Sequence, residues 1–90
     1  MKLISIGFGS YVSPERIVAA VDPESNPIKR IVTHGKETGK LIDATYGRKT
    51  KAVLIMDSGH VILCPLTPEG VSQRIAGRTT GGAENGREEQ

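Results

Sequence analysis

Residues 51–65, KAVLIMDSGHVILCP, decide the fold of this chain because they predict two adjacent strands of one sheet. The run KAVLIMD is apolar throughout its centre, as is typical of a strand covered on both faces. The turn DSGH leads into a second apolar run, VILCP. Two such runs joined by a turn of this composition predict a β-hairpin.

Three further segments predict strands around this hairpin. KLIDAT, residues 40–45, alternates apolar and polar side chains, and we expect it to form another hairpin with KAVLIMD. KLISIG, residues 2–7, predicts the first strand of the chain by the same alternation. RIVAAV, residues 16–21, is short and bounded by Pro14 and Pro23, which favours a strand over a helix.

Residues 25–39 carry the start and stop signals of an amphipathic helix. Ser25 or Asn26 can cap the N-terminus, and Pro27 suits the first helical position. Gly39 suits the left-handed residue just past the end. The apolar side of this helix is predicted from residues spaced at i, i+3, i+4 and i+7, namely Ile28, Ile31, Val32 and Gly35.

Residues 67–77, TPEGVSQRIAG, predict a second, closing helix with Thr67 as its cap, Pro68 at its first position and Gly77 at its end. The predicted order is strand, strand, helix, three strands in two consecutive hairpins, and helix. This order indicates an α+β domain over residues 1–76, with a mainly antiparallel sheet of about five short strands and two helices on one face.

The remaining residues, 77–90, contain no apolar side chain larger than alanine, so we expect a disordered tail. The N-terminal segment lacks the length and cleavage pattern of a signal peptide, and no stretch approaches eighteen consecutive apolar residues. The sequence therefore predicts a soluble cytoplasmic protein without a membrane partner.

A chain of 90 residues has little apolar surface to bury, because a domain of this size hides only about 60% of its unfolded surface. Cys64 is the single cysteine, which excludes an internal disulfide, and no Cys/His pair has zinc-ligand spacing. We expect no metal and no cofactor. Association with further copies of the same chain is the predicted source of additional burial.

The segment GRKTK, residues 47–51, places three cations in four positions, Arg48, Lys49 and Lys51. Residues 1–76 hold ten Lys and Arg against seven Asp and Glu, a net charge of +3, which favours a polyanionic partner. One interpretation of the segment is a solvated hairpin tip. The other is a phosphate clamp, in which Gly47 permits a tight turn and Arg48 supplies a planar, bidentate fork.

No constellation of residues predicts an enzyme. His34 and His60 have no Asp, Ser or Cys at diagnostic spacing, and Cys64 is typical of a small buried apolar residue. We therefore expect no catalytic residues and no small-molecule substrate.

Three stretches carry a resemblance to a known family: IGFGSYVSPERIVAAVDPESNPIKRIV (6–32), GKLIDATYGRKTKAVLIMDSGHVIL (39–63) and TPEGVSQRI (67–75). They closely resemble the RemA family of bacterial regulators of extracellular-matrix and biofilm genes, over roughly residues 3–76. The family motif commonly reads Gly-Arg-Arg-Thr-Arg where this chain has GRKTK, so lysine stands in two places where the family has arginine.

The resemblance implies a nucleoid-associated transcriptional regulator that binds double-stranded DNA and assembles into a homo-oligomeric ring, with the DNA along its outer surface. It also implies a subunit fold similar to LytTR-type DNA-binding domains. The positions that match the family's DNA contacts are Arg16, Arg48 and Lys49, and the charged turn adds Lys51.

Two other functions remain open from the residues alone. A single-stranded RNA-binding protein is possible for a small α+β sheet, but such proteins stack bases on exposed aromatic residues, of which this chain has three in all. The other alternative is a purely structural interaction oligomer, in which the cations of residues 48–51 meet acidic residues of another chain.

Overall fold

The computed structural model describes residues 2–77 and has an α+β architecture, as predicted. Its elements in chain order are β1 (Ile4–Gly7), β2 (Ser10–Val12), a 3-10 turn (Pro14–Arg16), β3 (Ile17–Val21), α1 (Asn26–Glu37), β4 (Leu41–Asp43), β5 (Ala52–Met56), β6 (Val61–Cys64) and α2 (Pro68–Ile75). In addition to the predicted strands, the described residues contain a short strand, β2, directly after β1.

The strands form two sheets. β1 and β2 make a two-stranded antiparallel ribbon, and the other four strands are ordered β3-β5-β6-β4. β5 pairs antiparallel with both β3 and β6, which confirms the predicted hairpin between β5 and β6. The prediction of a hairpin between β4 and β5 is wrong, because β4 pairs in parallel with β6 instead. Alternation fixes which side of a strand is buried but does not specify the neighbouring strand.

One face of the larger sheet packs against the ribbon and α2. Leu54 of β5 lies opposite Ile62 of β6, and both belong to the apolar core that Ile6 of β1 and Val71 of α2 complete. Leu54 has no exposed surface. Because successive side chains of a strand point to opposite faces, Val61 lies on the other side of the sheet.

The first helix covers that other side. A Cβ atom built on Gly35 of α1 would stand 3.4 Å from Cγ2 of Val61 and 3.8 Å from Cβ of Leu41, so the helix backbone lies very close to β6 and β4. The prediction that both helices cover one face is therefore wrong. An apolar stripe identifies the buried side of a helix but carries no information about which face of a sheet receives it.

The helix boundaries follow the predicted signals. The Ser25 hydroxyl accepts a hydrogen bond from the N–H of Ile28, and the Thr67 hydroxyl accepts one from the N–H of Gly70. Gly39 and Gly77 lie just past the two ends with φ of +76° and +78°, a conformation that favours glycine.

Within residues 2–77, neither helix combines the length and the apolar character required to span a bilayer. The predicted disordered tail falls, apart from Gly77, outside the described residues. The similarity to LytTR-type domains stays a prediction.

Candidate nucleic-acid interface

The cationic segment, residues 44–51, connects β4 to β5 across the end of β6, so it is not the hairpin tip that the sequence predicted. The N–H of Ala44 donates to the carbonyl of Leu63 at 3.0 Å, and the N–H of Lys51 donates to the carbonyl of Cys64 at 2.9 Å. Both ends of the segment are thereby anchored to the last carbonyls of β6.

Asp43 fixes the turn that begins the segment. The backbone N–H and the hydroxyl of Thr45 both donate to Oδ1 of Asp43, at 2.9 Å and 2.6 Å, and Thr45 is only 3% exposed. Its carbonyl accepts a hydrogen bond from the N–H of Arg48 at 3.0 Å. The two hydrogen bonds from Thr45, the hydroxyl first, hold the pKa of the Asp43 carboxyl below its ordinary value of 3.8.

This pKa shift predicts a loss of stability in acid. A carboxyl whose pKa is lower in the folded state than in the unfolded state stabilises the fold above pH 3.8, and that stabilisation disappears as the pH falls through the folded-state pKa. The unfolding temperatures of the wild type and of Asp43→Asn, measured at a series of pH values from 6 downward, should therefore become equal at the lowest pH. A constant difference between the two curves at every pH would contradict this role of the charge.

Arg48 lies over an aromatic ring that comes from a different part of the chain. Its guanidinium carbon is 4.7 Å from the ring centroid of Phe8, in the turn between β1 and β2. The rings of Phe8 and Tyr46 are 6.0 Å apart between centroids. Both residues are substantially exposed, at 45% and 66%. Arg48 is thus part of a surface cluster that also contains Phe8 and Tyr46, which we call the aromatic cluster.

The backbone at both aromatic residues is unusual. Within residues 2–77, Phe8 and Tyr46 are the non-glycine residues with positive φ, each at +54°. This left-handed conformation costs a bulky residue on the order of 1–3 kcal/mol and persists only where the surrounding structure enforces it. It occurs in the two loops that meet beside Arg48.

Lys49 and Lys51 follow Arg48 on the same segment, and both residues are exposed. Three of the four predicted DNA contacts therefore lie together, next to one end of β6.

Arg16 lies elsewhere. It ends the 3-10 turn, and its guanidinium is 3.3 Å from Oδ2 of Asp57, with 65% of the Arg16 side chain exposed. The carbonyl of Arg16 also accepts the N–H of Asp57 at 2.9 Å. Lys51 and Asp57 flank the two ends of β5, six residues apart at about 3.3 Å each, so the backbone of Asp57, which Arg16 contacts, is about 20 Å from that of Lys51.

Sequence reasoning missed Phe8. The available signal was Gly7-Phe8-Gly9, in which both glycines have positive φ, at +102° and +81°. A large apolar residue between two such glycines indicates a tight turn that presents its side chain outward. Its neighbour in space, Arg48, is forty positions away and could not be inferred from local pattern.

Two further chemical features of the described residues are the metal-ligating side chains and the single cysteine. No group of three or more His, Cys, Asp and Glu side chains that could hold a metal ion occurs among residues 2–77. Cys64 is fully buried, and burial raises the pKa of its thiol, which keeps it protonated and weakly nucleophilic at neutral pH.

Comparison with known proteins gives a consistent assignment. The family model RemA-like, "Extracellular matrix regulatory protein A-like", matches residues 3–75. A protein of Cyanothece sp. named "Putative regulatory protein" is 62% identical over 75 residues, which cover 83% of this chain and 82% of that protein. Proteins of the same name from Natranaerobius thermophilus and Desulforamulus reducens are 64% identical over 75 residues (83% of this chain, 84% of the relative) and 58% identical over 78 residues (87% of each). The chain therefore belongs to the RemA-like family of regulatory proteins.

Proposed function

We propose that this protein is an oligomeric DNA-binding transcriptional regulator, not an enzyme, that contacts duplex phosphates through Arg16, Arg48, Lys49 and Lys51. The observation that carries the proposal is the placement of Arg48, Lys49 and Lys51 on an exposed segment anchored to β6 at both ends. A fixed segment holds its charges in place before the ligand arrives, so less conformational entropy is lost on binding. Membership of a family of regulatory proteins supports the proposal.

The cations are well suited to a polyanion. Arg48 offers a planar donor set for phosphate oxygens, and Lys49 and Lys51 contribute point charges. The Arg16 side chain is largely exposed, although it contacts Asp57. An exposed ion pair of this kind contributes little to stability, so Arg16 can exchange Asp57 for a phosphate. Its distance from the segment means that one subunit would contact the duplex at two separate places.

A few cations per subunit bind DNA weakly at cellular salt concentration. Repeating them in an assembly makes each later contact intramolecular and raises the overall affinity. We therefore propose a homo-oligomer, and a ring as its form. The larger sheet supports this, because its two edge strands, β3 and β4, have no strand partner on their outer sides within residues 2–77.

One of the two edge strands, β3, lacks the usual protection against pairing. β3 reads IVAAV without a charge or proline, and its Val18 is 68% exposed. Ile42 on β4, at the opposite edge, is 46% exposed. Pairing of β3 in one copy with β4 in the next would be a head-to-tail contact, which generates a closed ring when the rotation closes.

We expect Val18→Lys to break the assembly but preserve the fold. A lysine on an edge strand opposes strand addition because its charge would have to be buried or displaced. Light scattering should show smaller particles, with an unchanged circular dichroism spectrum. Ser72→Lys adds the same charge on the exposed surface of α2 and should leave the particle mass unchanged. Intact assemblies of Val18→Lys would place the subunit interface elsewhere.

The direct test of DNA binding is a titration of duplex DNA at several salt concentrations. Release of counterions by phosphate contacts should make the logarithm of the affinity fall linearly with the logarithm of salt concentration. An affinity that does not change with salt would contradict the proposal. Expression of matrix and biofilm genes in a strain without the protein would test the finer assignment to those genes.

Single-stranded RNA binding remains the second candidate, and one observation favours it. All three aromatic side chains of the chain are exposed, including Tyr11 in β2, where bases could stack. Competition between duplex DNA and single-stranded RNA for the protein separates the two functions. Salt-insensitive assembly with no nucleic acid bound would instead favour a structural oligomer.

A further inference from the structure

We propose that Phe8 is a positioning residue for the DNA contact: its ring holds the Arg48 guanidinium as a flat plate whose N–H edge is available to a phosphate. This inference rests on the proposed function, since it concerns how Arg48 would contact DNA. The supporting observation is the 4.7 Å separation between the guanidinium carbon and the ring centroid. Separations within about 6 Å are attractive for a cation over an aromatic face.

The ring is held in this position by its surroundings. Phe8 lies in the turn between β1 and β2, and a Cβ atom on the preceding Gly7 would stand 3.6 Å from Cγ of Pro65, so this turn packs close to the chain after β6. Tyr46 lies 6.0 Å away between ring centroids, from the cationic segment itself. The aromatic cluster therefore joins the ribbon to the loop that carries the proposed contacts.

The exposure and backbone of Phe8 argue against a purely structural role. A ring needed for the core would be buried, but 45% of Phe8 is exposed. Within residues 2–77, the core cluster contains no aromatic residue. Its φ of +54° is a conformation that glycine would adopt without strain. Phe8 thus costs conformational energy, and its visible contacts are with Tyr46 and Arg48.

Stacking suits arginine because of the shape of its charged group. A guanidinium uses its flat face against the ring and keeps its five N–H groups in the plane, free to donate to two phosphate oxygens. A stacked side chain also has fewer rotamers to lose when it binds. An ammonium group is a compact point charge and gains less from the ring. Position 48 should therefore require arginine, unlike positions 49 and 51, where this chain has lysine.

The experiment is a double-mutant cycle on the full chain with one duplex at one fixed salt concentration. Phe8→Leu removes the ring but keeps an apolar side chain, and Arg48→Lys keeps the charge but removes the planar guanidinium. Each substitution is expected to weaken DNA binding about two- to five-fold for every Arg48 that contacts the duplex, which matches the contribution of an exposed cation–π interaction. The double variant should bind about as well as the weaker single variant, because both changes remove the same interaction. Phe8→Tyr should restore binding.

A second measurement reports the stacking without DNA. In the NMR spectrum, the ring current of Phe8 should shift the Cδ protons of Arg48, which adjoin the guanidinium over the ring. The shift should disappear in Phe8→Leu and persist in Phe8→Tyr. Tyr11→Leu is the matched control, because Tyr11 is an exposed aromatic residue in the adjacent strand β2, and we expect it to change neither the shift nor the affinity.

The outcomes separate this inference from the function on which it rests. If Arg48→Ala leaves DNA affinity unchanged, DNA contact by Arg48 and the positioning role are both overturned. If Arg48→Ala weakens binding but Phe8→Leu does not, only the positioning role is overturned. Independent, multiplicative effects of Phe8→Leu and Arg48→Lys would also overturn it. Coupled effects with rescue by Phe8→Tyr would support it.

Discussion

Arg48→Glu is expected to abolish binding to duplex DNA while leaving the assembly intact. The change replaces a cation with an anion at the centre of the proposed interface, so an attractive phosphate contact becomes a repulsive one. A hydrogen bond to a charged group contributes about 1.5–3 kcal/mol, which corresponds to roughly 10- to 100-fold in affinity for a single contact. The same loss in every subunit compounds in an assembly that binds one duplex through many copies.

Gel-shift titration and light scattering together test this expectation. Arg30→Glu provides the matched control, because it makes the same change of charge on an exposed residue of a different element, α1. The control should weaken binding much less. Equal losses would show that net charge alone governs binding. Dissociation of Arg48→Glu into monomers would identify Arg48 as an interface residue between subunits.

Leu54→Ala is expected to have the largest effect on stability. Leu54 has no exposed surface and lies in the central strand β5, where it contacts the core completed by the ribbon and α2. Removal of a buried leucine side chain loses its transfer free energy and leaves a cavity, at a cost of about 2–5 kcal/mol. Total stabilities of native proteins are about 5–15 kcal/mol, and a domain this small should lie near the lower limit.

Thermal unfolding, followed by circular dichroism at one protein concentration, measures this loss. A decrease of about 4–8 °C in Tm is expected for each kcal/mol in a domain of this size. Ile75→Ala is the control, because Ile75 is 48% exposed at the end of α2 and its truncation leaves no buried cavity. A Leu54→Ala variant that unfolds at the wild-type temperature would mean that the core rearranges to fill the space.

Local signals predicted most of the elements. Both helices begin at the predicted caps and end before the predicted glycines, because capping depends on a few adjacent residues. The hairpin of β5 and β6 followed from two apolar runs around one turn. The parallel pairing of β4 with β6 did not follow, since the alternating residues 40–45 are compatible with either neighbour.

The candidate site was predictable to a similar extent. The charges of Arg48, Lys49 and Lys51 are visible in the sequence, but their anchoring to the end of β6 depends on a chain crossing that local composition does not encode. The contact between Phe8 and Arg48 joins residues forty positions apart. Gly7-Phe8-Gly9 indicates a tight turn with an outward side chain, but the position of the ring beside Arg48 could not be inferred without the packing of the ribbon on the sheet.

The strand order also determines when the domain can fold during synthesis. Within residues 2–77, the strand partners of β3 and β4 are β5 and β6, which the ribosome adds later, between residues 52 and 64. Until those residues emerge, β3 and β4 of the nascent chain lack the strands with which they pair in the larger sheet. The larger sheet can therefore form only after the C-terminal half has been synthesised. Release of the nascent chain from the ribosome before residue 64 was added would leave two unpaired strands exposed to other chains.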